Sequence, residues 1–399
     1  MIGTQPQQAA LVGYRCALGQ HGYAAFVEHA PQALATTQTP QAHRRFADQN
    51  SNRFHLGTRP GWKMGRQSYI KRAPPQPRGG FGDDQTTVVN ARNLDLPFAE
   101  PAPDRTWVVA HLSDLHLTEP VAEGGEALRL KQRLGLASWR NRRSHLHQGA
   151  VLNALAVDLR TQAPDRIAIS GDLVQVGTPD EFRQAARWLA GFASPEQVLL
   201  VPGNHEAYVP GTWESGSGAW QAYLPPMGEG DPWLARHEGL LLIGLSSAVP
   251  SAPGLATGTL GKAQLAGLEA ALEQGAREER FRVVVLHHPP AGQVSWRKRL
   301  TDQRRFAAII ARYGAGLVLH GHMHCATLSS LPGTAGPVPV VGAPAASALD
   351  ARPGRMAGYG LLRITRAEAG WQLRLDRRVY RPRTRDFVCL EQCQLPTHG

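Results

Sequence analysis

The chain has 399 residues, 42% of them apolar, enough for one large α/β domain or two smaller ones. Its net charge of +11, from 43 Lys and Arg against 32 Asp and Glu, favours anionic partners such as nucleotides, nucleic acid or phospholipid head groups without choosing among them. No run approaches the ~20 consecutive apolar residues that cross a bilayer, the start MIGTQPQQAALVGY lacks the marks of a signal peptide, and four scattered cysteines are too few for a disulfide framework, so cytoplasmic residence is the default expectation.

Over the first hundred residues Gln, Pro, Gly, Arg and Ala recur without helical or strand period, and KRAPPQPRGGFGDDQ reads as a linker. So little apolar surface cannot offset the entropy of ordering, and a disordered N-terminal extension is expected over 1–104. From Thr106 onward strands and helices alternate. WVVAHLSD is an apolar run ending in polar residues, and a helix follows around Val151 to Leu159. RIAIS is the next strand. Thr178-Pro179-Asp180-Glu181 is a capping box with proline at the first helical position, and Phe182, Ala185, Leu189 and Phe192 share one face of its helix. QVLLVP and GLLLIGLSS are further strands, Leu265, Leu268 and Leu272 mark a helix, and RVVVLHH is a strand. Phe306 to Tyr313 forms a helix closed by Gly314, GLVLH is a strand, and Val338 to Tyr380 reads as strands separated by turns. The alternation argues an α/β fold over 105–382 built on β-α-β units, followed by a tail over 383–399. The Arg-rich stretch from Arg374 to Arg385 reads as an edge strand running into that tail, and Cys389 and Cys393 lack the partners of a structural metal site.

The chemistry lies where the strand runs stop. The first ends in Asp114 and His116, the second in Gly171-Asp172, the third in Gly203-Asn204-His205-Glu206. Later ones end in His287-His288-Pro289 and Gly321-His322-Met323-His324. Ligand sites of open α/β sheets form beyond the carboxyl ends of the strands, so five segments deliver polar ends to one place. Carboxylate, imidazole and amide oxygen together suit Mn, Fe or Zn. The donors outnumber those of one tetrahedral ion and suit two divalent ions sharing a carboxylate. Two ions ~3.5–4 Å apart can hold a hydroxide and clamp the oxygens of an in-line displacement, the arrangement phosphate ester hydrolysis needs. His111 and His320, within or at the end of strand runs, read as packing or hydrogen-bonding residues.

In this order the set D-x-H, G-D, G-N-H-E, H-x-P and G-H-x-H resembles the calcineurin-like metallophosphoesterases over roughly Thr106 to Tyr380. The resemblance implies a four-layer α/β/β/α sandwich and a phosphoesterase working with two transition-metal ions. Asp114, His116 and His324 would hold one ion, Asp172 would bridge to the second, and Asn204, His287 and His322 would complete the second ion's shell. His205 would stand over the substrate as the catalytic residue, with Glu206 orienting its imidazole. His287, two residues before the proline, is the ligand, leaving His288 to point elsewhere, toward substrate.

Between the first two motifs lies a basic insertion over 126–147, with Arg129, Lys131, Arg133, Arg140, Arg142 and Arg143 among Leu128, Leu130, Leu134, Leu136 and Trp139. A membrane-surface or lipid-substrate clamp, a nucleic-acid phosphate contact and a solvated helical hairpin over the site all fit it. The expected substrate is a small phosphodiester or phosphomonoester, in the manner of bacterial cyclic-nucleotide phosphodiesterase-like members. The alternatives are a lipid-linked sugar-nucleotide pyrophosphate and a nuclease substrate. A non-catalytic binding protein is disfavoured because the ligand set is complete.

Overall fold

Strand formation begins where the apolar alternation predicts it. The structure, a computed structural model, describes residues 16–18, 105–117, 119–120, 128–224 and 231–397. Apart from a three-residue strand β1 (Cys16–Leu18), the extension expected over 1–104 lies outside the described residues.

Strand β2 (Thr106–Leu112) points Trp107 and Val109 to one side and Ala110 and Leu112 to the other, as the two-residue period of a strand requires. The basic insertion is not a hairpin. It is helix α1 (Leu130–Ser138), which runs directly into a π-helical turn, Trp139–Arg143. Then come α2 (Gly149–Gln162), β3 (Arg166–Ile169) and α3 (Pro179–Phe192). Helix α3 starts as expected: the Thr178 hydroxyl accepts from the Glu181 amide, and Glu181 reaches back to the Thr178 amide. The chain continues through β4 (Val198–Leu200), α4 (Thr212–Gly216), β5 (Trp233–His237), β6 (Leu240–Gly244), α5 (Gly261–Arg277), β7 (Phe281–Val285) and α6 (Gln303–Tyr313). It closes with β8 (Leu317–His320), β9 (Thr327–Pro332), β10 (Pro337–Gly342), β11 (Gly358–Ala367), β12 (Gly370–Arg381) and β13 (Asp386–Leu395).

Two sheets result, ordered β1-β13-β12-β11-β2-β3-β4 and β5-β6-β7-β8-β10-β9. Three apolar clusters tie the layers. The middle one joins the inner faces of both sheets through Trp107, Leu199, Val283, Leu319, Ile364 and Leu375. One outer cluster packs α2 and α3 on the first sheet, and the other packs α5 and α6 on the second. The architecture is therefore the α/β/β/α sandwich, and burial of these clusters supplies its main driving force. In each sheet the strands that carry the site run parallel, β2-β3-β4 in one and β6-β7-β8 in the other.

Residues 383–397 depart from the expected tail, and 398–399 lie outside the described residues. Strand β13 pairs with β12 from Leu373↔Leu395 to Arg381↔Asp386, so β12 is an interior strand and not an edge. Phe387, Cys393 and Leu395 are buried while Gln392 and Gln394 are exposed, and the polar Glu391, Gln392 and Gln394 conceal the strand period in the sequence. Cys389 is exposed and free, and Cys393 is buried and disulfide-bonded. No helix among the described residues is long and apolar enough to cross a membrane.

Candidate metal centre

The ends of β2, β3, β4, β7 and β8 lead straight into the five motif segments. The chain turns abruptly there. Asp114, His116, Asp172, His322 and His324 have φ of 51°, 46°, 59°, 69° and 48°, a left-handed conformation that costs an L-residue energy and persists only where the surroundings enforce it. Backbone bonds supply the enforcement: the amides of Asp114, His116 and Leu117 donate to the carbonyls of Gly171, Asp172 and Leu173. Two motif glycines permit the close approach. A Cβ on Gly203 would press on the Asp172 carboxylate and the His287 ring, and one on Gly321 would press on Ser113 and the Asp114 carboxylate.

All seven sequence-predicted ligands arrive at one spot. Asp114, His116, Asp172 and His324 form one group and Asp172, His287 and His322 another, the ligand atoms of each within 4.8 Å of one another, with Asp172 common to both. Asn204 joins the second, its Oδ1 3.2 Å from His287 Nε2. Within the first, His324 Nε2 is 3.0 Å from Asp114 Oδ1 and 3.5 Å from His116 Nε2. Within the second, His287 Nε2 is 3.3 Å from Asp172 Oδ2 and 3.2 Å from His322 Nδ1.

The donor set has a definite chemical meaning. His116 spends its Nδ1 proton on the Val174 carbonyl and His287 spends its own on the Ser170 carbonyl. The ring nitrogens facing inward are then lone pairs, set against carboxylate and amide oxygens. A buried assembly of acceptors needs a cation to hold it together. Without one, protons do so: burial opposes a charge on His287, yet Asp172, by charge and hydrogen bond, and Asp114 push it up to about 9. Burial drives the pKa of His116 and His322 well below the ordinary value, keeping both as neutral ligands. The residues therefore fit a pair of metal ions, whose uptake would displace the proton from His287.

His288 does not face the substrate side. It is fully buried, its Nδ1 is 2.8 Å from Ser247 Oγ, and its ring lies 4.5 Å from that of His322. His111 and His320 are also buried, bonding to Ser170 Oγ and the Gly321 carbonyl. One histidine escaped the sequence reading. His147, at the end of the basic insertion, forms a further group with His116 and His324, and its Nδ1 is 2.7 Å from Ser347 Oγ. No strand run precedes it, so nothing in the local pattern distinguishes it from the neighbouring His145.

His205 sits beside the cluster, with Nε2 3.9 Å from Asp172 Oδ2 and its amide donating to Asp172 Oδ1. Its orienting partner is not Glu206, as expected, but the backbone carbonyl of Gln175, which accepts from Nδ1. Glu206 is fully buried and does something else. Its two oxygens accept from the amides of Asp172, Leu173, Val174 and Gly203, at 2.6 to 3.1 Å. Burial and the adjacent Asp172 push its carboxyl up to about 7, while the amides of Gly203, Val174 and Asp172 pull the other way. Glu181 continues the pattern, accepting from the amides of Gln175, Val176 and Thr178. Two carboxylates thus hold the loop after β3 along most of its length.

Glu206→Gln is expected to lower folding stability by about 3 kcal/mol, because a side-chain amide can accept at only one end and points its own N–H groups at donors. Chemical denaturation measures this. An unchanged midpoint would remove Glu206 from its structural role.

A cleft of about 490 Å³ opens beside the cluster, lined in part by Asn204, His205, Lys131 and Arg143. A larger one, about 690 Å³, lies at Arg280, Arg366 and Trp371 and contains none of the seven ligands.

The family described as calcineurin-like phosphoesterase matches residues 108–326. Glycerophosphodiester phosphodiesterase GpdQ of Enterobacter lignolyticus (strain SCF1) is 29% identical over an alignment of 199 residues that covers 45% of this chain and 65% of that relative, so the chain spans slightly less than two thirds of its length. Among solved structures, a dimetal phosphatase from Danio rerio aligns with 12% identity and a TM-score of 0.49, covering 73% of this chain and 99% of that one. GAP50 of Plasmodium aligns with 9% identity and a TM-score of 0.42, covering 74% and 90%.

Proposed function

This chain belongs to the calcineurin-like phosphoesterase family, hydrolases of phosphoester bonds, and from that premise we propose that it hydrolyses a phosphodiester in preference to a monoester at the cluster around Asp172. The observation that carries the reading is the place of Asp172 in both ligand groups, with His205 Nε2 alongside. Asp114, His116 and His324 would hold one divalent ion, Asn204, His287 and His322 the other, and Asp172 would be shared; His147 stands close enough to join the first shell. Mn, Fe and Zn all suit this mixture of donors. Bound there, such a pair supplies a strong nucleophile from water at neutral pH and positive charge over the phosphoryl oxygens.

The protein's own contribution is position and proton traffic. With Nδ1 tied to the Gln175 carbonyl, His205 presents Nε2 to the leaving oxygen. Burial and Arg143, against the pull of Asp172, push its pKa down to about 4. An incoming phosphate anion works in the opposite direction, so the proton is taken up as substrate arrives. The diester preference is supported by the relative named as a glycerophosphodiester phosphodiesterase.

Hydrolysis of bis-p-nitrophenyl phosphate beside p-nitrophenyl phosphate, by Mn-loaded protein, tests the reading. A kcat/KM at least about tenfold higher for the diester is expected, a difference of ~1.4 kcal/mol in transition-state stabilisation. Chelation should abolish both activities and metal should restore them. A preference for the monoester would overturn the proposal.

A further inference from the structure

We propose that the cleft beside His205 is an anion subsite, and that the substrate carries a second phosphoryl group, as a pyrophosphate or a bis-phosphorylated ester does. This rests on the phosphoesterase reading and adds the substrate class.

Four cationic side chains, Lys131, Arg143, Arg297 and Lys298, line that one cleft, and no carboxylate does among the described residues. None of the four is in an ion pair among the described residues. The arginines of β11 and β12 behave differently: Arg363, Arg366, Arg374, Arg377 and Arg378 each meet a carboxylate. The unpaired cations are also built in. Lys131 Nζ donates to the Ser251 carbonyl at 2.8 Å and stands 4.6 Å from the centre of the Tyr208 ring, and half-burial without an acid pushes its pKa down to about 8. Arg143 extends from the π-helical turn, a distortion that recurs at functional sites. Its Nη2 donates to the Gly135 carbonyl at 3.3 Å, its Nη1 lies 3.4 Å from His205 Nε2, and its buried Nε has no partner.

Arg143 brings one of these charges to the edge of the ligand cluster, beside His205. Charge balance then sets what the cleft is for. Two divalent ions less the carboxylates of Asp114 and Asp172 leave two positive charges. A diester anion and the hydroxide that attacks it neutralise those. Four further cations in a partly dehydrated cleft ask for more negative charge than a single phosphate brings, and phosphoryl oxygens suit Lys and Arg donors.

The test is binding of adenosine α,β-methylene-diphosphate and of AMP to the Mn-loaded full chain, followed by calorimetry. The diphosphonate is expected to bind at least about tenfold tighter, the scale of one charge-assisted hydrogen bond. Lys131→Gln and Lys298→Gln should each shrink that preference several-fold, and both together should nearly erase it. Equal affinity for the two compounds, or a preference that neither variant alters, overturns the subsite. Hydrolysis of bis-p-nitrophenyl phosphate by the same preparation keeps this outcome separate from failure of the phosphoesterase reading. Two sources of the second phosphate are told apart by turnover. A soluble uridine-diphosphate sugar hydrolysed in preference to bis-p-nitrophenyl phosphate assigns a nucleotide-type substrate. The same preference seen only for its acylated form in micelles assigns a lipid-linked one, to which the exposed Leu134 at the cleft would contribute. Either supports the subsite, and preference for neither overturns it.

Discussion

Asp172→Asn is expected to reduce turnover by on the order of 10³-fold or more, about 4 kcal/mol of transition-state stabilisation, and to bring the metal content below two per chain. The asparagine keeps an oxygen for the His205 amide that now donates to Asp172 Oδ1 at 2.9 Å, so the loop carrying His205 stays in place. What disappears is the negative charge that both ligand groups share. Without it the two ions repel with nothing between them to offset the repulsion, and one site empties. Metal analysis of purified protein beside the diester assay gives the result directly. A variant that keeps two metals and full activity would refute the shared role.

His205→Ala has the second-largest expected effect and a different signature. Turnover should fall by ~10²–10⁴, the range for removing a general acid, while metal content stays at the native value, since no ligand is lost. The contrast is the informative part. Loss of metal would show that His205 belongs to the metal shell and not above it. The separation is expected because His205 is in none of the groups whose ligand atoms lie within 4.8 Å of one another, and its Nε2 faces Arg143 Nη1 at 3.4 Å.

Much of this centre was legible in the sequence, because metal ligands are side chains and side chains are what a sequence spells. Asp114, Asp172, Asn204 and His322 follow apolar strand runs, and those runs are visible from their period. The supporting structure was not legible, for two physical reasons. First, His205 is oriented by a backbone carbonyl, and every residue has one, so Gln175 carries no mark. Glu206 was misassigned for the related reason that its partners are four amides rather than an imidazole. Second, the left-handed turns at the five ligands depend on contacts between distant segments, such as Asp114 with Gly171. Strand β13 was missed because Glu391, Gln392 and Gln394 interrupt its apolar period, and Trp233–His237 because a half-buried strand of that length has no clear alternation. His147 was hidden by its setting, in an insertion whose conspicuous property was charge.

The capping box at the start of α3 has a further consequence. Glu181 closes it in the usual way, but the same carboxylate also grips the amide of Gln175, whose carbonyl in turn aims His205. A motif ordinarily counted as housekeeping for one helix is here the first link of a chain of contacts ending at His205. Inheritance at this position is therefore doubly constrained: a substitution tolerated by the helix can still misdirect the proton. In a screen for stability alone, such a variant would pass as healthy while being catalytically lame.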